Sequence, residues 1–177
     1  MNYRHILEEI YHEIQPFAYE GKQADYIPSL AQVNPDQFGI YLHLLDGEHY
    51  SLGESEVNFS IQSISKVFSL AIALSLIGKQ LWERIGKEPS GSAFNSLVQL
   101  EYEHGKPRNP FINAGALVLT DVLLSHLENP EDFFISFVRK LAHNPAIDYS
   151  HEVAMSEYRC CYLNASIAYL LKHHGNL

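Results

Sequence analysis

Cysteine is nearly absent from this sequence: among 177 residues only Cys160 and Cys161 occur, and they are adjacent. Neighbouring cysteines very rarely bridge each other, and this pair matches no zinc-ligand or redox spacing, so a disulfide scaffold, a zinc domain and a dithiol oxidoreductase are excluded. Basic residues are also few. Twelve Lys and Arg stand against 21 Asp and Glu, a net charge of −9, which argues against a nucleic-acid backbone or an anionic membrane as partner. The longest apolar run, after Ser63, predicts a helix of about 14 residues, short of a bilayer span. No secretory pattern opens the chain, since Met1-Asn2-Tyr3-Arg4-His5 leads into an amphipathic, acidic stretch. These features together predict a cytoplasmic protein. Ten histidines are present, but they are scattered and form no His-Glu-x-x-His or similar ligand set, so neither a metal nor a cofactor is expected.

What is present suits one globular domain. Hydrophobic residues make up 46% and charged residues 19%, the proportions of a folded chain with a sizeable core. Residues 2–15 place Ile6, Leu7, Ile10 and Ile14 on one stripe, an amphipathic helix ended by Pro16. Residues 21–35 read as a loop, in which Tyr26 is expected to be buried or packed. Residues 38–45 and 48–52 are rich in strand formers, and Asp46-Gly47 between them signals a β-hairpin. A buried helix closed by Gly78 follows. Residues 94–100 form a short helix or strand. Phe111-Ile112-Asn113-Ala114-Gly115-Ala116 opens an apolar run to Leu124, with Asn113 either a helix cap or an amide displayed to a ligand. Asn129-Pro130-Glu131-Asp132 starts a helix by cap, N1 proline and acidic first turn, and Asn144-Pro145 ends it. A short helical piece at 150–155 and a last helix at 163–174 complete the chain. The expected architecture is α/β of the α+β type in a single domain over 1–177: helix and hairpin over 1–58, then a mainly helical part over 59–177.

The stretch Gln62-Ser63-Ile64-Ser65-Lys66 carries the clearest chemistry. Behind it, Val67, Phe68, Leu70, Ala71, Ile72, Ala73, Leu74, Leu76 and Ile77 leave the helix almost no polar side, which predicts burial. Ser63 falls in the first turn and Lys66 three residues on, on the same face. A serine hydroxyl needs a base to become a nucleophile, and a lysine one turn away serves if burial lowers its pKa. Free N–H groups at the helix start can stabilise an oxyanion. About one Ser-x-x-Lys match arises by chance in a chain of this length, so a cap serine followed by a solvated lysine competes with the catalytic reading. Lys66 is, however, the only charged residue between Glu56 and Lys79. A lone lysine on an apolar helix calls for a cavity, a partner or a depressed pKa.

Several blocks resemble the serine-dependent glutaminases, which share the fold of the β-lactamases and penicillin-binding proteins. They are Ala24-Asp25-Tyr26-Ile27-Pro28; Gln62-Ser63 with Lys66; Gly86-Lys87-Glu88-Pro89-Ser90-Gly91 with Phe94-Asn95; Asn109-Pro110 with Asn113-Ala114-Gly115-Ala116; and Ser156-Glu157 with Asn164. They stand in the family's order and spacing. The resemblance implies that Ser63 attacks the side-chain carboxamide of L-glutamine with Lys66 as general base. It implies that Asn113, Glu157 and Asn164 bind the substrate and that Tyr26 lines the pocket. Self-association into a homo-oligomer is implied by the same analogy.

Two departures accompany the resemblance. Where the family typically has Gly-Asp-Arg before the binding asparagine, this sequence has Cys161-Tyr162-Leu163, bulky apolar residues expected to alter that loop. The sequence also stops at Leu177, near the middle of a usual family member, before further strands, a catalytic tyrosine, a second substrate-contacting tyrosine and a Lys-Ser-Gly segment. A truncated product is therefore expected, its hairpin keeping an unpaired edge where C-terminal sheet strands are missing. Two other readings compete. One is another Ser-x-x-Lys acyl hydrolase of the penicillin-recognising type, against which the Glu157/Asn164 pair and the lack of a Ser-Asp-Asn box count. The other is an inactive, truncated binding or oligomerisation module.

Overall fold

Asn2 opens the first helix, α1 (Tyr3–Ile14), by accepting the His5 N–H on its side chain at 3.2 Å, the capping that an exposed helix start needs. The computed structural model describes residues 2–17 and 20–177. The chain divides into two compact units, Met1–Ser60 with Glu152–Cys160, and Ile61–His151 with Cys161–Leu177.

In the first unit α1 packs on a hairpin of β1 (Gly39–His43) and β2 (His49–Gly53), paired antiparallel from Gly39↔Gly53 to His43↔His49. Strand alternation half-buries Ile40, Leu42, Tyr50 and Leu52 and exposes Tyr41, His43, His49 and Ser51, as a one-sided sheet requires. Tyr3 meets Tyr50 and Tyr11 meets Phe38, with ring centroids 5.8 and 5.5 Å apart. The turn is one residue longer than Asp46-Gly47 alone suggests. The Leu44 N–H donates to the Glu48 carbonyl at 2.8 Å, and Gly47, at φ +93°, closes a three-residue loop of the type that places glycine in the left-handed region. Most of the helix α7 (His151–Tyr158) belongs to this unit, where the Ser29 N–H donates to Ser156 Oγ at 3.1 Å.

The second unit is helical. A 3-10 turn, Gln62–Ile64, runs into α2 (Ser65–Ile77), and a second, Gly78–Gln80, runs into α3 (Leu81–Arg84). Then come α4 (Leu97–Tyr102), α5 (Asn113–His126), α6 (Pro130–Ala142) and α8 (Tyr162–His173). The ambiguous 94–100 stretch is thus resolved as helix, capped by Ser96, whose side chain accepts the Gln99 N–H at 3.2 Å. α5 lies at the centre, with Val118, Leu119 and Val122 fully buried among Ile72 and Ala73 of α2, Leu81, Ile85, Leu100, Ile167 and Leu171. Burying each such larger side chain contributes about 1.5–3 kcal/mol before entropy is counted. Gly115 lets the first turn of α5 approach the preceding loop: a Cβ there would lie 2.1 Å from the Asn109 carbonyl oxygen. Arg84 ties α3 to α5 through Asp121 at 2.6 Å and to the chain end through the Asn176 carbonyl at 2.6 Å.

Two expectations about α2 are corrected. It is not buried all round: Ile72 and Ala73 are its fully buried residues, while Ile64 just before it is 54% exposed and Val67 is 53% exposed. The second concerns length: α2 itself has 13 residues, close to the expected length of about 14, but the expectation that no stretch reaches a bilayer span does not hold. Gln62–Arg84 spans 23 residues, and its most apolar stretch of 18 has a mean hydropathy of 1.4, enough by length and composition to cross a membrane. Gly78, at φ 55° and ψ −131°, interrupts that run, and Ile72, Ala73 and Leu81 within it are buried in the helical core.

Candidate active site

The site is built on the start of α2. Gln62 adopts φ +43°, a left-handed conformation that costs a non-glycine residue roughly 1–2 kcal/mol, and such strain collects at functional turns. Its carbonyl receives the Ser65 hydroxyl at 2.6 Å. Ser63 lies within the 3-10 turn, ahead of the α-helix proper, and is exposed. Lys66 follows in the first turn of α2 and is half-buried.

Lys66 has the surroundings that its isolation in the sequence calls for. Its ammonium donates to the Phe111 carbonyl at 3.0 Å and to Asn113 Oδ1 at 2.8 Å. The Phe94 ring centroid lies 5.9 Å from Nζ. Burial pushes the Lys66 pKa below the ordinary lysine value of 10.5, because a partly desolvated ammonium favours losing its charge.

Asn113 is not the helix cap. It is the first residue of α5 and the cap position is Ile112, so its side chain serves other groups. Its Oδ1 accepts from Lys66, and its Nδ2 donates to Asn164 Oδ1 at 2.8 Å. Asn164 sits in the first turn of α8, and the preceding Tyr162 and Leu163 are exposed. The apolar replacements at 161–163 therefore leave Asn164 bonded within the site. Lys66, Asn113 and Asn164 thus form one hydrogen-bonded chain across α2, α5 and α8.

Tyr26 and Glu157 fall in the other unit. There the Cys160 thiol meets the Tyr26 carbonyl at 3.5 Å and the Glu157 carbonyl at 3.4 Å. The expectation of a packed Tyr26 is corrected: it is 66% exposed. Among the described residues no cluster of three or more His, Cys, Asp or Glu side chains suits a metal.

Sequence reasoning missed the Phe111 carbonyl, the Phe94 ring and the strained Gln62. A backbone acceptor leaves no side-chain signal, and a positive φ at glutamine has none. The arrangement places a half-buried amine one turn from an exposed hydroxyl, with two amides alongside. That is equipment for acyl transfer to serine with polar groups to hold a substrate.

The family model described as Glutaminase matches residues 21–177. A glutaminase of Paraburkholderia phytofirmans is 51% identical over 177 residues, covering 100% of this chain and 58% of the relative. One of Ralstonia nicotianae is 49% identical with the same coverage. Among solved structures, a probable glutaminase of Bacillus subtilis superposes with a TM-score of 0.86 at 33% identity, covering 99% of this chain and 54% of that one. A structure of a probable Bacillus subtilis glutaminase complexed with 6-diazo-5-oxo-L-norleucine gives 0.84 at 32% identity, covering 100% and 54%. The chain spans about three-fifths of the length of the curated relatives it matches (58%). These neighbours are glutaminases of the β-lactamase-like fold, and their likeness runs through both the hairpin and the Ser63 helix. With the family model matched from residue 21 to the last residue, this chain belongs to the glutaminase family.

Proposed function

We propose that this sequence carries the nucleophile-bearing part of an L-glutamine amidohydrolase. Neutral Lys66 takes the proton from Ser63 Oγ as the oxygen attacks the side-chain carboxamide carbon. The tetrahedral intermediate collapses, the carbon–nitrogen bond breaks, and the Lys66 ammonium returns the proton to the departing ammonia. A glutamyl ester remains on Ser63, and water, deprotonated by Lys66, releases glutamate and restores the serine. The observation that carries this reading is the Lys66–Asn113–Asn164 chain, one turn from Ser63.

The lowered Lys66 pKa supports the role of base, since it raises the neutral fraction near neutral pH. With Asn113 Oδ1 and Asn164 Oδ1 occupied, Asn164 Nδ2 and the second Nδ2 hydrogen of Asn113 are donors for polar groups of the substrate. Glu157 pairs with the α-ammonium of glutamine by charge, and Tyr26 contributes to the pocket by family resemblance. An ammonia-release assay with L-glutamine tests the reading, run on the 177-residue chain and on a version extended to the relatives' length. Release by the wild type and its loss in Ser63→Ala supports it. No release from glutamine in the extended protein overturns it.

A further inference from the structure

We propose that Asn109 is the positioning residue of this site: its side-chain amide shapes the loop that aims the Phe111 carbonyl and the Asn113 amide oxygen at Lys66 Nζ. Asn109 Oδ1 accepts the Phe111 N–H at 3.0 Å and the Ile112 N–H at 3.2 Å. Its Nδ2 donates to the Glu88 carbonyl at 2.9 Å. One side chain therefore gathers two successive N–H groups and anchors them to a separate segment. The Asn109 carbonyl also packs against the start of α5, where a Cβ on Gly115 would meet its oxygen at 2.1 Å. Asn113 is fixed from a third direction, its N–H donating to the Phe94 carbonyl at 2.8 Å.

The consequence falls on Lys66. The groups that meet its ammonium are the Phe111 carbonyl, Asn113 Oδ1 and the Phe94 ring. All three depend on the segment between Phe94 and Asn113, and the Asn109 amide is the brace within it. Asparagine before proline commonly forms such a side-chain turn merely to order a loop. Here the peptide whose N–H groups are gathered is also the peptide whose carbonyl holds the lysine. Releasing the loop admits water to Lys66 and removes the burial that lowers its pKa. The geometry stands alone, but its meaning for catalysis rests on Lys66 being the base of the proposed reaction.

Competitive acetylation across a pH series, read peptide by peptide by mass spectrometry, reports the pKa of Lys66 whether or not glutamine is hydrolysed. In Asn109→Ala the Lys66 pKa is expected to rise by about one unit, a tenfold loss of neutral amine at a given pH. Asn109→Ser, which keeps an acceptor without adding charge, is expected to fall nearer the wild type than alanine does. If circular dichroism shows Asn109→Ala unfolded, Asn109→Leu, which keeps the bulk, takes its place with the same expectation. A Lys66 pKa unchanged in the variant lacking the acceptor overturns the proposal, as does a serine variant shifted as far as alanine. Ammonia release by the protein extended to the relatives' length is measured in parallel. Its absence sinks the proposed function, while the acetylation result still decides the role of Asn109.

Discussion

The helical unit buries Val118, Leu119 and Val122 of α5 among side chains from α2, α3, α4 and α8, whereas in the hairpin unit only Leu7 and Ile27, among the described residues, are fully buried apolar side chains. The hairpin unit relies instead on half-buried strand residues and tilted aromatic pairs. The difference separates where the chemistry is proposed to sit from where part of the substrate recognition is proposed. Ser63, Lys66, Asn113 and Asn164 rise from helices locked into a dry core, and such support holds a site to the tolerance catalysis needs. Tyr26 and Glu157 belong to the unit with few deeply buried side chains, the kind of region that opens locally at low cost.

The largest expected effect tests the chemical side of this contrast. Ser63→Ala should lower ammonia release by about a thousandfold or more in a protein extended to the relatives' length, as loss of a nucleophile does. Its circular dichroism should match the wild type, because the side chain is exposed. Retained activity would move the nucleophile elsewhere.

Core truncation comes next. Leu119→Ala should cost about 2–5 kcal/mol by urea unfolding, from lost transfer energy and the cavity left behind. Leu52→Ala in β2 removes a half-buried side chain and should cost clearly less, on the order of 1 kcal/mol. Equal costs would break the comparison. Gly115→Ala probes the same core from its edge. The added methyl must displace the Asn109 carbonyl, so a loss of about 1–3 kcal/mol is expected from overpacking.

A smaller effect concerns Lys66 and pH. Its folded pKa lies below the ordinary 10.5, so between the folded value and 10.5 the unfolded chain binds a proton that the folded chain has released. Stability then rises with pH across that window, and the burial penalty is fully felt below it. Relative to Lys66→Met, the wild type should therefore gain stability as the pH rises toward the ordinary lysine value of 10.5. Urea midpoints of the two proteins whose difference stays flat, or moves the other way, would show that burial does not perturb this lysine. Smallest of all is Tyr50→Phe. The Tyr50 hydroxyl donates to Glu48 on an exposed turn, and its removal should shift the urea midpoint by an amount near the measurement error.

Much of this division can be read from the residues themselves. Asn129-Pro130-Glu131-Asp132 announces α6, which begins at Pro130, because the N1 proline and the early acids act locally; Asn129 holds the cap position without a side-chain cap hydrogen bond. The hairpin was legible in position but not in loop length, since that depends on which residues close the turn. The exposed Ile64 and Val67 escaped periodicity: an apolar residue shows that it can be buried, not that a neighbour covers it. At the site, Ser63 and Lys66 stand out by spacing and by the isolation of the lysine. The pairing of Asn113 with Asn164 joins residues 51 apart in sequence, and no local rule reports it without the family's pattern. Asn109 enters the sequence reading only as part of the Asn109-Pro110 block, because its hydrogen bonds to Phe111 and Ile112 matter only once Phe111 is seen against Lys66.

The most direct test of the central claim is covalent trapping of the nucleophile. The 177-residue chain, and a version extended to the relatives' length, are incubated with 6-diazo-5-oxo-L-norleucine, a diazoketone analogue of glutamine. The diazo carbon takes up the proton released by the activated hydroxyl, and the serine oxygen displaces dinitrogen from it to leave an ether. Peptide mass spectrometry should find a single adduct, on Ser63, in the extended protein, absent in Ser63→Ala and suppressed by excess L-glutamine. An adduct on another residue, or an extended protein that stays unlabelled while folded, would contradict the account.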